Sequence, residues 1–354
     1  MDVFGLPDFD RHERVVFGCD ESSGLRAIVA IHSTVRGPGA GGCRMWPYSS
    51  TNEALTDVLR LSRGMSYKNA MAGLPFGGGK AVIIGDSRAQ KSPELLLAYG
   101  KLVDSLGGRY VTAEDVGTTL ADMEQVARAT RFVSGLGHGA GKAGGDPAPK
   151  TAQGVFEGIQ AAARFRLGRS DLAGLTVAIQ GVGGVGYHLC RLLAAEGAAL
   201  RVADVRAAAV ERAADELGAS PVSTGTVVSE DVDVFAPCAL GGILNGRSIP
   251  KLRASIVAGA ANNQLLQDVD GVNLHARGVL YAPDYVVNAG GIISVAREYL
   301  GGATEADVMA ELHGIPARLL EIFERARREN RPTNFIADQV ARELIGHGGQ
   351  RKVA

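Results

Sequence analysis

Two lysines and one carboxylate are the residues of this chain best placed to do chemistry. Lys68 lies near the end of a stretch with helical spacing, and Lys80 follows Gly77-Gly78-Gly79 at the start of the apolar run Ala81-Val82-Ile83-Ile84. Burying an ammonium group is costly unless it is paired or functional, because a dry environment favours the neutral amine. Three glycines ahead of Lys80 are expected to clear a path by which a small molecule reaches the main chain. Asp115 ends the run Tyr110-Val111-Thr112-Ala113-Glu114-Asp115, at the exit of another strand-like stretch. Together the three suit an amino-acid substrate. One lysine would hold its carboxylate, the other would activate water, and the aspartate would exchange a proton with the amino group. Taken singly each has a plainer reading: Lys68 as a solvated helix residue, Lys80 as a paired strand lysine, Glu114-Asp115 as a helix cap. The seven histidines show neither ligand spacing nor a nucleophile pattern, so no metal site is expected and triad chemistry has no support.

A second constellation is Gly181-Val182-Gly183-Gly184-Val185-Gly186, which fits G-x-G-x-x-G. The pattern is weak by itself, but here the strand-like Leu175-Thr176-Val177-Ala178-Ile179-Gln180 runs into it and a helix begins inside it. The first glycine then makes the tight turn, the second admits a pyrophosphate, and the third lets helix pack on strand. Phosphates would sit at the helix N-terminus, where free N–H groups and the dipole favour anions. Asp204 ends the next strand-like run, where this motif places an acid on the ribose hydroxyls. A carboxylate there repels a 2′-phosphate and favours NAD over NADP, a preference that nearby Arg206 weakens. The plainer reading is a structural glycine turn with a solvated aspartate.

Elements to position these groups are legible around them. Residues 14–36 hold two strand-like runs, and a glycine-rich loop, GPGAGGCRMWPY at 37–48, follows. Helical spacing marks 51–73 and 92–106, and a glycine-rich stretch with two prolines at 134–149 reads as an interdomain hinge. Beyond it, buried strands alternate with helices of about a dozen residues, the rhythm of a doubly wound parallel sheet. Two amphipathic helices close the chain.

The chain's 354 residues favour two domains, and its 46% hydrophobic content excludes wholesale disorder. A net charge of −1, from 37 basic and 38 acidic residues, offers no field for nucleic acid or an anionic membrane. Glycine is the outlier at 48 residues, nearly twice the usual share of roughly 7%. Cys19, Cys43, Cys190 and Cys238 are widely spaced, a signal-peptide pattern is absent from the start, and no apolar run is long enough to span a bilayer, so a reduced, cytoplasmic protein is expected.

Gly64-Met65-Ser66-Tyr67-Lys68-Asn69 followed by Leu74-Pro75-Phe76-Gly77-Gly78-Gly79-Lys80 resembles the signature of the glutamate/leucine/phenylalanine/valine dehydrogenases. The resemblance extends through GPGAGGCR, TAEDVGTT at 112–119, APCALGG at 236–242, AGAANNQ at 258–264 and YAPDYVVNAGG at 281–291, most like the leucine and valine branch. It implies an α/β fold with a substrate and oligomerisation domain, 1–148 completed by helices within 331–354, and a Rossmann-type NAD-binding domain, 149–330, with a cleft between them. It implies NAD-dependent oxidative deamination of an L-amino acid to the 2-oxo acid and ammonium, by a homo-oligomer. Lys68 would bind the substrate carboxylate, Lys80 would be the general acid/base that activates water, and Asp115 would shuttle the amino proton. Asn262 would contact both substrate and nicotinamide, and Thr151, Cys238 and Ala239 would join Gly181, Gly183, Gly184, Val185, Gly186 and Asp204 around the cofactor. Gly290-Gly291 would line the opposite wall. Ala40, Ala113, Ile292 and Val295 match side-chain pocket positions. Their aliphatic character suits leucine and valine, while the small Ala40 leaves room for phenylalanine. A phenylalanine dehydrogenase is the alternative within the class, and a non-catalytic NAD-binding regulatory protein the alternative outside it. Ser87 stands where the signature often has proline, a loop change of no expected consequence.

Overall fold

The computed structural model of the chain describes residues 2–136 and 143–348, so the centre of the expected hinge, 137–142, lies outside the described residues. Contacts divide the chain into two units: Met1–Gly145 with Val295–Glu305 and Ala341–Ala354, and Asp146–Ser294 with Ala306–Val340.

The first unit is built on strands β1 (Arg14–Asp20), β2 (Leu25–Ser33), β3 (Gly39–Ala40), β4 (Cys43–Trp46), β5 (Gly77–Ile84) and β6 (Tyr110–Val111), with helices α1 (Thr51–Met71), α2 (Pro93–Ser105) and α3 (Leu120–Ala127). The sheet runs β1-β2-β5-β3-β6, and β4 pairs with the far half of β5. β1 and β2 are antiparallel, as are β2 and β5, whereas β3 and β4 lie parallel to β5. Alternation sorts the side chains to opposite faces. Ile28, Ala30 and Val82 meet Leu55, Val58 and Leu59 of α1 on one face, and Val29, Ile31, Ala81 and Ile83 meet Leu95, Leu96, Tyr99 and Val103 of α2 on the other. Ser50 caps α1 by accepting the Glu53 N–H, and Glu53 adds a negative charge to its first turn. Two expectations are corrected here. The segment expected as a loop from Gly37 contains β3 and β4, and Gly77–Gly79 lie inside β5 rather than ahead of it. In both places a backbone without side chains lets neighbouring strands and α1 come close enough to extend the ladder.

The second unit begins with α4 (Pro147–Leu167). It continues through β7 (Thr176–Gln180), α5 (Gly184–Ala195), β8 (Ala199–Ala203), α6 (Ala207–Leu217), β9 (Ser220–Pro221), β10 (Val234–Pro237) and β11 (Ile256–Val257). After α7 (Asp268–Ala276), β12 (Leu280–Tyr281) and α8 (Asp284–Val287) come four more helices: α9 (Gly290–Leu300), α10 (Glu305–Leu312), α11 (Gly314–Glu329) and α12 (Thr333–Gly348). Its sheet is parallel throughout, in the order β12-β11-β10-β7-β8-β9. Numbered within the unit this is 6-5-4-1-2-3, the doubly wound order whose direction reverses at its first strand. The crevice beyond the carboxyl ends of β7 and β10 is therefore the place for a ligand.

The expected boundary at 148 falls three residues from the observed division after Gly145, and the C-terminus differs more. Residues 331–340 group with the second unit and Val295–Glu305 with the first, because α9 and α12 each pass from one unit into the other. Among the described residues no helix is long and apolar enough to cross a membrane.

Candidate active site

In the first unit β5 carries Lys80 in register with Ala30 of β2, so its stem starts in the middle of the sheet and the residue is only 6% exposed. Its ammonium lies 3.0 Å from Asp115 Oδ2. Asp115 reaches that point because the chain after β6 is drawn against β4. The Cys43 N–H donates to Ala113 O at 2.8 Å, and a Cβ on Gly42 would lie 2.9 Å from Asp115 Cβ. The Asp115 N–H donates to Thr118 Oγ1 at 2.9 Å, and that hydroxyl donates in turn to Cys43 O at 2.9 Å. Burial pushes the Asp115 carboxyl up, but the adjacent Lys80 and Arg44 cations outweigh it and hold the group below its usual range.

Arg44, Asp57 and Tyr48 belong to this cluster although no role was read for them. Arg44 Nε is 3.1 Å from the same Asp115 Oδ2, and its Nη1 is 2.9 Å from Asp57 Oδ2 on α1. The Tyr48 hydroxyl donates to that Asp57 oxygen at 2.5 Å. The available signal was alternation in β4, where Cys43 and Met45 are buried and Arg44 and Trp46 face outward.

Lys68 sits half-buried in the last turn of α1. That turn is pinned by fully buried Asn69, whose amide donates to Gly77 O at 2.6 Å and to Ala40 O at 3.4 Å. Ala40 is buried between Gly78 and Val111, and Ala113 and Val295 are half-buried in the same unit, whereas Ile292 belongs to the second. The glycines do not clear a path as expected. A Cβ on Gly77 would strike Ser33 O, one on Gly78 would strike Ser66 N, and one on Gly79 would come 2.6 Å from the Tyr110 ring. Protein, rather than a passage, occupies the space they leave.

In the second unit β7 turns at Gly181, whose φ of 93° is the left-handed region that glycine tolerates. A Cβ there would lie 2.8 Å from Ala239 Cβ, and one on Gly186 would strike Gly181 O, so the outer two glycines lock turn to helix. The middle pair is different. The place of a Gly183 Cβ meets only the tip of Arg206 at 3.4 Å, and that of Gly184 only Ala148 Cβ at 3.4 Å. Gly183 gives α5 no side-chain cap, and half-buried Val185 follows in its first turn. The N–H groups of that turn and the helix dipole are thus presented as an anion site, which fits a pyrophosphate. Asp204 closes the turn: Oδ2 accepts the Val182 N–H at 2.8 Å, and Oδ1 accepts the Arg206 N–H at 2.9 Å. Burial pushes the Asp204 carboxyl up, and these amide bonds outweigh it and keep the group ionised. Arg206 Nε lies 3.4 Å from the same carboxylate.

The remaining expected cofactor residues lie around β10 and α4. The Cys238 N–H donates to Gln180 O at 2.7 Å, and burial pushes the thiol up to about 11, which leaves it protonated at neutral pH. Thr151 donates to Pro147 O at 2.9 Å, and Asn262 Oδ1 accepts from Asn288 Nδ2 at 2.8 Å. Gly290 and Gly291, expected to line a wall, instead seat α9 on α4. A Cβ on the first would strike Lys150 O, and one on the second would lie 2.8 Å from Thr151 Oγ1. Among the described residues no three His, Cys, Asp or Glu side chains are grouped to hold a metal ion.

The chain matches two family models. Residues 12–132 fit the Glu/Leu/Phe/Val dehydrogenase dimerisation domain, and residues 199–338 fit the Glutamate/Leucine/Phenylalanine/Valine dehydrogenase model. It is 48% identical to a leucine dehydrogenase of Geobacillus stearothermophilus over 98% of this chain and 94% of that one. It is 50% identical to a valine dehydrogenase of Streptomyces coelicolor over 96% and 94%. Its structure is similar to that of L-tryptophan dehydrogenase from Nostoc punctiforme, with a TM-score of 0.85, 44% identity, and coverage of 96% of this chain and 97% of the other. Near-complete coverage by these relatives, joined to the two matched domains, shows that the chain belongs to the Glu/Leu/Phe/Val dehydrogenase family of amino acid dehydrogenases.

Proposed function

We propose that this chain catalyses the reversible, NAD-dependent oxidative deamination of a branched-chain L-amino acid, with leucine and valine preferred. The amino acid, NAD⁺ and water give the 2-oxo acid, ammonium, NADH and a proton. The observation that carries the reading is the buried Lys80–Asp115 pair at 3.0 Å, a base and an acid joined where the sheet meets the chain after β6. Lys68 holds the substrate carboxylate. Lys80 takes a proton from the water that adds to the α-carbon once oxidation has made it an imino carbon, and Asp115 gives the amine its proton as the C–N bond breaks. Gly181, Gly183, Gly184, Val185 and Gly186 hold the pyrophosphate, Asp204 the ribose, and Thr151, Cys238, Ala239 and Asn262 the remainder; the dinucleotide, when bound, supplies the hydride acceptor. An ionised Asp204 with Arg206 turned onto it supports NAD over NADP, because it repels a 2′-phosphate. The first matched model is described as a dimerisation domain, and β1 is an edge strand with Phe17 54% exposed, which support a homo-oligomer.

For the side chain, Ala40, Ala113, Ile292 and Val295 offer aliphatic surface, and two of the relatives are named for leucine and valine. A second reading, an aromatic substrate, is favoured by the small Ala40 and by the relative named for tryptophan. The test is kcat/KM for leucine, valine, phenylalanine and tryptophan, followed by the absorbance of NADH at alkaline pH. Leucine and valine lead by about tenfold, because each unmatched methylene is worth roughly 1–3 kcal/mol in such a pocket. An aromatic substrate in the lead replaces the first reading with the second. Turnover of none of the four points to the non-catalytic, NAD-binding alternative.

A further inference from the structure

We propose that Arg44, braced by Asp57 and Tyr48, is a positioning residue that keeps Asp115 ionised and aimed at Lys80 throughout the reaction cycle. The inference rests on the proposed deamination, since it concerns the same pair.

Two cations converge on one oxygen. Lys80 Nζ and Arg44 Nε lie 3.0 and 3.1 Å from Asp115 Oδ2. One partner suffices to satisfy a structural aspartate, so the second needs a reason. The reason is chemical: a lysine that takes and returns protons loses its charge for part of every turnover, while a guanidinium keeps its charge throughout. Whenever Lys80 is neutral, Asp115 would face burial without a counter-charge and take up a proton, and Arg44 prevents this.

Two further ionisable side chains beside Asp115 bring it no charge. Of the other groups facing Asp115, Cys43 on β4 has its thiol pushed up to about 12 by burial, and Tyr110 on β6 has its hydroxyl pushed up likewise, so both are neutral. Asp122 on α3 is committed to Lys91 at 2.7 Å. Arg44 is itself held in place from the far side. Its second arm lies 2.9 Å from Asp57 Oδ2, and the Tyr48 hydroxyl donates to the same oxygen at 2.5 Å. The resulting line of alternating charge, Lys80–Asp115–Arg44–Asp57, joins β5, β4 and α1. Only a fork with two separated donors bridges both carboxylates, which a lysine at this position cannot do. On its outer side the brace borders an open groove of about 610 Å³, lined also by Trp46, Thr56 and Arg60.

The experiment is the pH profile of kcat and kcat/KM, with leucine and NAD, for the wild type, Arg44→Gln and Arg44→Lys, beside Lys80→Ala and Asp115→Asn. Arg44→Gln is expected to lower kcat about 10- to 100-fold near neutrality, to leave KM for leucine within a few-fold, and to move the acid limb up by about one pH unit or more. The pair titrates as a unit, so removing a fixed positive charge moves that limb up whichever member sets it. Arg44→Lys restores the charge without the fork and is expected to shift the limb less. A loss of activity in equal proportion at every pH, or a wild-type profile, overturns the inference. Should Arg44→Gln fail to fold, Arg44→Met, which also removes the charge but keeps the length of the stem, decides: an upward shift supports the role, and a wild-type limb overturns it. If the wild type deaminates no amino acid, or Lys80→Ala and Asp115→Asn stay fully active, the underlying reading fails. If those two variants are inactive and the Arg44 limb stays in place, this inference alone fails.

Discussion

Lys80 spends its buried position on a carboxylate, and what it does there is separable from cofactor binding. It lies in the first unit, whereas the glycine turn and Asp204 lie in the second. Lys80→Ala is therefore expected to lower kcat by about 10²- to 10⁴-fold, the usual worth of a positioned acid or base, while NADH still binds. Turnover with saturating leucine and titration of NADH fluorescence check the two halves. Activity within a few-fold of wild type refutes the role. Lys80 and Asp115 were legible in the sequence because each is an ionisable residue beside a run of apolar or glycine neighbours. Arg44 was not, since it is one outward residue on a four-residue strand hidden after a glycine-rich segment. Spacing along the chain carries no trace of the step from β4 to Asp57 on α1.

At the scale of elements the glycines of β5 set how closely α1 packs. A methyl on Gly78 would collide with Ser66 N and Oγ and with Ser62 O of α1, and backbone gives way only by moving the helix that carries Lys68. Gly78→Ala is expected to cost about 1–3 kcal/mol and to lower kcat/KM as well. Gly64, on the exposed face of the same helix with nothing within 4 Å of its missing Cβ, is the control. There Gly64→Ala is expected to stabilise by about 0.5–1 kcal/mol through helix propensity alone. Melting temperatures of both variants read the opposite signs, and a neutral Gly78→Ala refutes the packing argument. The same contrast explains what the sequence left unread. The strands β7 and β10 are buried along their centres and show as apolar runs, and α5 and α6 have clear helical spacing. β3, two residues inside a glycine-rich segment, has no periodicity to detect, and its pairing is fixed by partners distant in the chain.

For the whole molecule the expected weak point is mild acid. His12 is 7% exposed, with Nε2 3.0 Å from Leu59 O and from Ser62 Oγ, and the His32 ring is 4.9 Å away. Burial first, and then His32, push its pKa down to about 4, and burial lowers His32 too. The unfolded chain thus binds more protons than the folded one below the ordinary histidine range. The stability from a neutral His12 is complete above about 6.5 and is lost as pH falls toward about 4. Its full worth is about 3 kcal/mol. Denaturant midpoints at pH 7.5 and 4.5 are expected to differ less in His12→Gln than in the wild type, and an identical pH slope in both refutes the assignment.

Asp204 joins two properties that are usually discussed apart. Its carboxylate is the proposed selector for an unphosphorylated ribose, yet both its oxygens are already hydrogen-bonded to the main chain at Val182 and Arg206. Exchanging it for a neutral residue, the obvious route to accepting NADP, would remove the anchors of the very turn proposed to receive the pyrophosphate. Cofactor preference in this chain is consequently heritable only together with loop integrity. An evolutionary switch to NADP would have to rebuild the turn before, or along with, the change of charge.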